Sequence, residues 1–85
     1  MKLLFVEDDD DLRCTVAKML RRQGYMVDDE CDNGEDGMYH ALLPELAYDV
    51  VVLDRLLPII DGLTIAKAMR NKGLHTPILM VTGLS

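Results

Sequence analysis

The sequence predicts an α/β fold in which helices flank an open parallel sheet, and two observations favour this class. Short apolar runs alternate with amphipathic stretches along all 85 residues. The connections are short and the elements follow the order βαβαβαβ, which indicates parallel strands joined by right-handed crossovers. A chain of this length holds one domain at most, so we expect residues 1–85 to belong to a single domain.

Four short segments are predicted to form the strands. Residues 3–6 are continuously apolar, which is typical of a strand buried on both faces. Residues 25–31 are more polar and are expected at an edge of the sheet. Residues 50–53 are β-branched and uninterrupted, and residues 78–81 form the last apolar run.

Three amphipathic stretches are predicted to form the helices, at 10–23, 35–43 and 63–72. In the first, apolar residues recur at helical spacing. Asp9 or Asp10 is expected to cap its start, where a carboxylate also interacts favourably with the helix dipole.

Glycine, proline and asparagine mark the ends of these elements. Gly24 is expected to stop the first helix and Gly73 the third. Asn33 and Gly34 predict a turn before the second helix, which should end near Pro44.

The composition of the chain disfavours several classes of function. Nine Lys+Arg against fifteen Asp+Glu give a net charge of −6, which argues against direct nucleic-acid binding and favours a cation site or a basic partner. No apolar segment is long enough for a signal peptide or a membrane span, so we expect a soluble cytoplasmic protein without membrane contact.

Cys14 and Cys31 lie in no metal or redox motif and are expected to be reduced and buried.

Polar residues follow three of the strands. Glu7 and Asp8 end the first, Asp54 ends the third and Thr82 ends the fourth, all at the edge where ligands bind such sheets. Each has an ordinary explanation taken alone, because acids cap helices, aspartate ends strands and threonine forms strands. Their coincidence favours a magnesium and phosphoryl site, since converging carboxylates repel each other unless a cation lies between them.

Three segments resemble the receiver domain of two-component response regulators of the OmpR/PhoB type: residues 6–9, 52–62 and 77–83. The resemblance runs along the whole chain. It implies a flavodoxin-like sheet of strand order 2-1-3-4-5, an order that comes from the family and not from the residue pattern. It also implies truncation after the fourth strand, with the last helix, strand and helix missing, and therefore no catalytic lysine in this chain.

The resemblance implies a role for each site residue. Asp54 would accept a phosphoryl group from a sensor histidine kinase. Asp8, Asp54 and the backbone carbonyl of Leu56 would bind Mg²⁺ directly, and Glu7 would bind it through a water molecule. Thr82 would hydrogen-bond a phosphoryl oxygen and act as the switch, and Gly83 would leave room for that group.

The implied function is a phosphoacceptor switch that controls an output, transcription above all, and not an enzyme with a separate substrate. A dehalogenase-type enzyme is disfavoured because Leu56 stands where its second aspartate belongs. A module that is not phosphorylated and that dimerises or exchanges elements remains an alternative, and magnesium dependence would separate the two. Arg55 is interpreted either as a shield for Asp54 or as a solvated side chain.

Overall fold

The computed structural model describes residues 1–81, which form four strands, three α-helices and one turn of 3₁₀ helix. Along the chain these are β1 (Lys2–Val6), α1 (Asp10–Arg22), β2 (Met26–Cys31), α2 (Gly34–Ala41), the 3₁₀ turn (Pro44–Leu46), β3 (Val50–Asp54), α3 (Gly62–Asn71) and β4 (Ile78–Val81). The predicted order of strands and helices is confirmed, and no boundary differs by more than two residues.

The strands form one parallel sheet in the order β2-β1-β3-β4. The expectation that the second strand lies at an edge is therefore confirmed. All three crossovers return to the same end of the sheet, so the carboxyl ends of β1 and β3 lie side by side, with Val6 opposite Leu53. This register brings the residues that follow the two central strands to one place.

Two apolar clusters cover the two faces of the sheet. On one face, α2 and α3 pack over alternate residues of the central strands, including Leu4, Val6 and Leu53, together with Ile65 and Met69 of α3. On the other face α1 packs over a smaller cluster, built around Leu3, Phe5, Ala17, Val27 and Val52. Burial of the apolar side chains in the two clusters is the main stabilising contribution to the fold.

The second helix differs from its prediction at both ends. Asn33 forms no separate turn; its side chain accepts a hydrogen bond from the Asp36 N–H at 2.8 Å and caps α2. The helix ends at Ala41 and not at 43. Leu43 is extended (φ −89°, ψ 104°) because the proline that follows disfavours helical geometry in the preceding residue.

The two cysteines occupy different environments. Cys31 is buried, as expected, and burial raises its pKa to about 12. The prediction that Cys14 is buried is wrong, because this free cysteine lies exposed on α1. The helix packs inward through Val16, Ala17 and Leu20. Within residues 1–81, no helix is both long enough and apolar enough to cross a membrane.

Candidate functional site

The loop between β1 and α1 carries two of the predicted site residues. Glu7 directly follows β1, and its N–H donates a hydrogen bond to the Cys31 carbonyl of β2 at 2.9 Å. Glu7 is buried, with 5% of its surface exposed, whereas Asp8 faces solvent. Asp9 then caps α1 by accepting a hydrogen bond from the Leu12 N–H at 3.0 Å, so the acidic run turns directly into the helix.

Asp54 is the last residue of β3 and is 7% exposed. Its Oδ1 atom accepts a hydrogen bond from the Leu56 N–H at 3.2 Å, which orients the carboxylate towards the loop that follows. The next residue, Arg55, donates its N–H to the Val81 carbonyl at 2.9 Å and ties this loop to the end of β4. Asp54 is therefore held between β1 and β4 at the carboxyl end of the sheet.

The structure brings three predicted acids together. Glu7, Asp8 and Asp54 each place one carboxylate oxygen so that the three atoms lie within 4.8 Å of one another. Two of these carboxylates are buried and one is exposed, which makes a site that opens to solvent on one side. An all-oxygen donor set of this kind suits a hard divalent cation such as Mg²⁺, so the residues present fit the predicted ion.

Electrostatics also favour a cation at this point. Burial raises the pKa of Glu7 to about 7, helped by the Asp8 and Asp54 carboxylates and opposed by a hydrogen bond from the Asp9 N–H. That bond measures 3.1 Å to Glu7 Oε2. Two neighbouring buried carboxylates repel each other when both are ionised, and a cation between them would offset this repulsion.

Arg13 supports this loop, and nothing in the sequence pattern pointed to it. Its guanidinium donates to the Glu7 carbonyl at 2.9 Å and to Asp10 at 2.8 Å. The contact with Asp10 raises the pKa of Arg13 further above its ordinary value. Because the bond reaches the backbone of Glu7, it fixes the acidic loop without engaging the Glu7 carboxylate.

The Asp61–Gly62 pair has a structural reason. Asp61 caps α3 through a 2.8 Å hydrogen bond from the Thr64 N–H, and the bonds from Thr64 lower its pKa. A Cβ atom at Gly62 would stand 2.3 Å from the carbonyl oxygen of Asp54. Only glycine lets the start of α3 lie this close to the backbone of Asp54.

The remaining predicted residues are placed only in part. The Leu56 N–H donates a hydrogen bond to Asp54, and the role of the Leu56 carbonyl as a metal ligand stays a prediction. Thr82 and Gly83 fall outside the described residues, so the predicted phosphoryl contacts at these positions are not tested.

A parallel α/β sheet with an acidic cluster at the carboxyl ends of its central strands defines the class of open α/β domains that bind ligands at this edge of the sheet. Residues 3–85 match the family described as the response regulator receiver domain, so the chain belongs to that family. Across its full length it is also 40% identical to the transcriptional regulatory protein DltR of Streptococcus agalactiae. The chain spans 37% of the length of DltR.

Solved receiver domains share the fold. The receiver domain of the response regulator NarL from Mycobacterium tuberculosis matches with a TM-score of 0.87 at 27% identity, over 99% of this chain and 67% of that chain. The receiver domain of the sensor histidine kinase PA1611 from Pseudomonas aeruginosa matches with a TM-score of 0.82 at 28% identity, over 93% of this chain and 64% of that one. That structure is described with a magnesium ion coordinated in its active-site cleft.

Proposed function

We propose that this receiver domain accepts a phosphoryl group on Asp54 from a sensor histidine kinase, with Mg²⁺ bound, and switches conformation to control an output. The observation that carries this proposal is the cluster of Glu7, Asp8 and Asp54, whose carboxylate oxygens lie within 4.8 Å of one another. The receiver domain of PA1611, described with a magnesium ion in its active-site cleft, supports the choice of cation.

The chemistry assigned to Asp54 is a nucleophilic displacement at phosphorus. A carboxylate oxygen of Asp54 supplies an electron pair to form the new O–P bond as the N–P bond to the donor histidine breaks. The imidazole nitrogen keeps the electrons of the broken bond. The Leu56 N–H, 3.2 Å from Oδ1, holds the carboxylate in orientation, and burial keeps bulk water away from it.

The cation site would be formed by this chain's own oxygens. Asp8 and Asp54 would bind Mg²⁺ directly with the Leu56 carbonyl, and Glu7 through a water molecule. The bound ion would supply positive charge against that of the transferring phosphoryl group. Glu7 and Arg13 position the loop, because Arg13 holds the Glu7 carbonyl and the Asp9 N–H holds the Glu7 carboxylate.

We also propose that the output is transcription, since DltR is named a transcriptional regulatory protein. The domain acts as a phosphoacceptor and not as an enzyme on a separate substrate. With a net charge of −6, it would not bind nucleic acid through this segment. A cytoplasmic location would give it access to a kinase and to DNA-bound partners.

The test is to incubate the chain with Mg²⁺ and phosphoramidate and to measure its intact mass. The wild type should gain one phosphoryl group and Asp54→Asn none, because the amide is a poor nucleophile at phosphorus. Asp49→Asn, an exposed aspartate before β3, is the matched control and should be modified like the wild type. Equal modification of the wild type and Asp54→Asn, or none in either, would contradict the assignment.

A second candidate function is self-association, and the surface beside β4 favours it. An apolar groove of about 210 Å³ lies between α1 and this side of the sheet, lined by Phe5, Leu12, Val16, Val52 and Leu79 among others. Among the described residues β4 has no strand on its outer side, and its four residues carry no charge. Edges without charged residues pair readily with other strands, so a second copy of this chain is the proposed occupant.

Sedimentation velocity over a dilution series tests this second candidate. Leu79→Lys places a charge in the groove and should shift the chain towards monomer. Met26→Lys is the matched control, since Met26 lies on the opposite edge strand and both residues are 57% exposed. A wild-type monomer at every concentration, or equal effects of the two substitutions, would refute self-association through β4.

A further inference from the structure

A histidine and an aspartate face each other outside the acidic cluster. His40, on α2, places its Nε2 atom 3.9 Å from the Oδ1 atom of Asp29, on β2. This distance is too long for a hydrogen bond. Neither residue belongs to the cluster of Glu7, Asp8 and Asp54, and the proposed phosphoacceptor chemistry uses neither of them. The pair is therefore separate in its chemistry from the site already described.

The hydrogen bonding of His40 fixes which ring nitrogen carries the proton. Its Nδ1 atom lies 2.8 Å from the backbone carbonyl oxygen of Asp36. A carbonyl oxygen only accepts, so Nδ1 is the donor, and in the neutral ring Nε2 carries the free lone pair. That lone pair faces the Asp29 carboxylate, which is also an acceptor. Histidines that bind metal ions have this arrangement, with the second ring N–H donated to a carbonyl or carboxylate.

Asp29 is oriented by a hydrogen bond of its own. The Tyr48 hydroxyl donates to its Oδ2 atom, while Oδ1 lies towards His40. Burial and this bond raise the pKa of Tyr48, so the hydroxyl stays protonated and remains a donor. Carboxylates that bind metal ions are held by hydrogen bonds in the same way. Both members of the pair are thus fixed by a second group that leaves the facing atom available.

An irregularity in β2 turns Asp29 towards α2. Leu3 pairs with Val27, but the next residue, Leu4, pairs with Asp29, so Asp28 is an extra residue in the strand. Bulges of this kind change the direction of a side chain beside functional sites. Without the extra residue, Asp29 would lie on the opposite face of the sheet, under α1, because side chains alternate along a strand.

We propose that His40 Nε2 and Asp29 Oδ1 form a second cation site, which takes a divalent transition-metal ion, with Zn²⁺ as the probe. Two ligands of a tetrahedral zinc ion lie about 3.3 Å apart, since each bond is about 2.0–2.1 Å long. A small movement of the two side chains would close the observed 3.9 Å to this value. The side chains are 30% and 32% exposed, so water molecules can complete the coordination.

The donor set distinguishes this site from the magnesium site. Imidazole nitrogen suits zinc, copper and nickel, whereas Mg²⁺ prefers oxygen ligands. The Cys31 sulfur lies 3.7 Å from Nδ1, at the other nitrogen of the His40 ring, so an ion at Nε2 would be held without it. Residues 28–36 include six acids and no basic residue, and the negative potential of this segment would attract a cation.

A Zn²⁺ titration of ¹⁵N-labelled protein tests the proposal at each histidine ring, with excess Mg²⁺ present throughout. The Nε2 signal of His40 should shift until the site is saturated, while Nδ1 keeps its proton. His75 is exposed and serves as the internal control, which should respond only at higher Zn²⁺ concentrations. Because each ring is observed separately, zinc bound at the acidic cluster or at Cys14 does not obscure the result.

Asp29→Asn is the decisive variant, because asparagine can still accept the Tyr48 hydrogen bond but carries no charge. The Zn²⁺ concentration for half-saturation at His40 should rise about tenfold or more, the smaller effect seen when even an outer partner of a metal ligand is removed. Glu35→Gln, an exposed acid of the same segment, is the matched control and should bind zinc like the wild type. Backbone amide signals show whether each variant is folded.

Four results would overturn the zinc site: no shift at His40, coordination through Nδ1, an equal response of His40 and His75, or equal half-saturation in Asp29→Asn and Glu35→Gln. The first would leave His40 and Asp29 as an ordinary ion pair. None of these results bears on the phosphoacceptor function, since that function depends on Asp54 and is measured by intact mass.

Discussion

The two loops that frame the site begin and end alike and differ in between. Each follows a central strand, β1 or β3, and each ends in an aspartate, Asp9 or Asp61, that caps the next helix. The β1–α1 loop is a short polar turn whose contacts are hydrogen bonds to the acids. The β3–α3 loop is longer, apolar and strained at Ile59.

The two loops are held in place by different kinds of contact. The acids of the first loop have fixed polar neighbours, the Asp9 N–H and Arg13. The second loop is fixed through its backbone, since the Gly62 N–H donates to the Arg55 carbonyl and the Ile60 carbonyl lies against Gly34. Substitutions in the two loops should therefore act through different interactions.

The largest effect on stability is expected from Glu7, whose pKa is raised from 4.5 to about 7 by burial and the neighbouring acids. Between these pH values the folded state keeps a proton that the unfolded chain has lost, so the free energy of unfolding falls as pH rises. The full loss, in the absence of Mg²⁺, is about 3 kcal/mol.

Glu7→Gln should abolish this decrease in the free energy of unfolding with rising pH. Urea unfolding across the same pH range measures the free energy of both proteins. Glu35→Gln, at an exposed position, is the control for the removal of one carboxyl group. If the free energy of unfolding changed with pH in the same way for the wild type and Glu7→Gln, the raised pKa of Glu7 in the folded state would be contradicted.

The next effect is expected where the second loop meets α3. Gly62→Ala would place a Cβ 2.3 Å from the Asp54 carbonyl oxygen and 3.0 Å from the Met80 sulfur. The backbone must shift to accommodate it, at a cost of about 2 kcal/mol. Urea unfolding measures the loss, and Leu63→Ala at the exposed next position should cost much less. Equal stability of Gly62→Ala and the wild type would show that the close approach does not constrain this loop.

The smallest effect is expected at the helix cap of the first loop. Asp9→Ala removes the bond from the Leu12 N–H and should lower the free energy of unfolding by about 1 kcal/mol. Thermal unfolding measures it, with Asp11→Ala, inside the first turn of the helix, as the control. If Asp11→Ala lowered the free energy of unfolding more than Asp9→Ala, negative charge at the start of α1, and not the capping hydrogen bond, would be the main stabilising contribution.

Local patterns were sufficient to predict the strands and the acids of the site. A strand run such as 50–53 owes its burial to its own side chains, and an acid that directly follows it must lie at the carboxyl end of the sheet. That is why Glu7, Asp8 and Asp54 could be placed together from the sequence. The sheet order could not be obtained from local patterns and came from the family resemblance.

Features that depend on contacts between distant residues could not be predicted. The left-handed residue Ile59 precedes Ile60, whose carbonyl oxygen lies against Gly34, a residue far away along the chain. The bond from Arg13 to the Glu7 carbonyl depends on how α1 lies on the sheet. Asn33 could be taken for a turn residue because the same side chain both forms turns and caps helices.

The most direct test of the account is the magnesium dependence of phosphoryl gain, measured by intact mass over a Mg²⁺ titration at fixed phosphoramidate. We predict that the wild type is modified only with Mg²⁺ and that Asp8→Asn needs about a hundredfold more of the ion or remains unmodified, since even outer residues of metal sites alter affinity about 10–100-fold. Asp11→Asn, an exposed acid of the same run, should follow the wild type. Modification at the same rate without Mg²⁺, or an unchanged requirement in Asp8→Asn, would contradict the assignment of the three acids to one cation site.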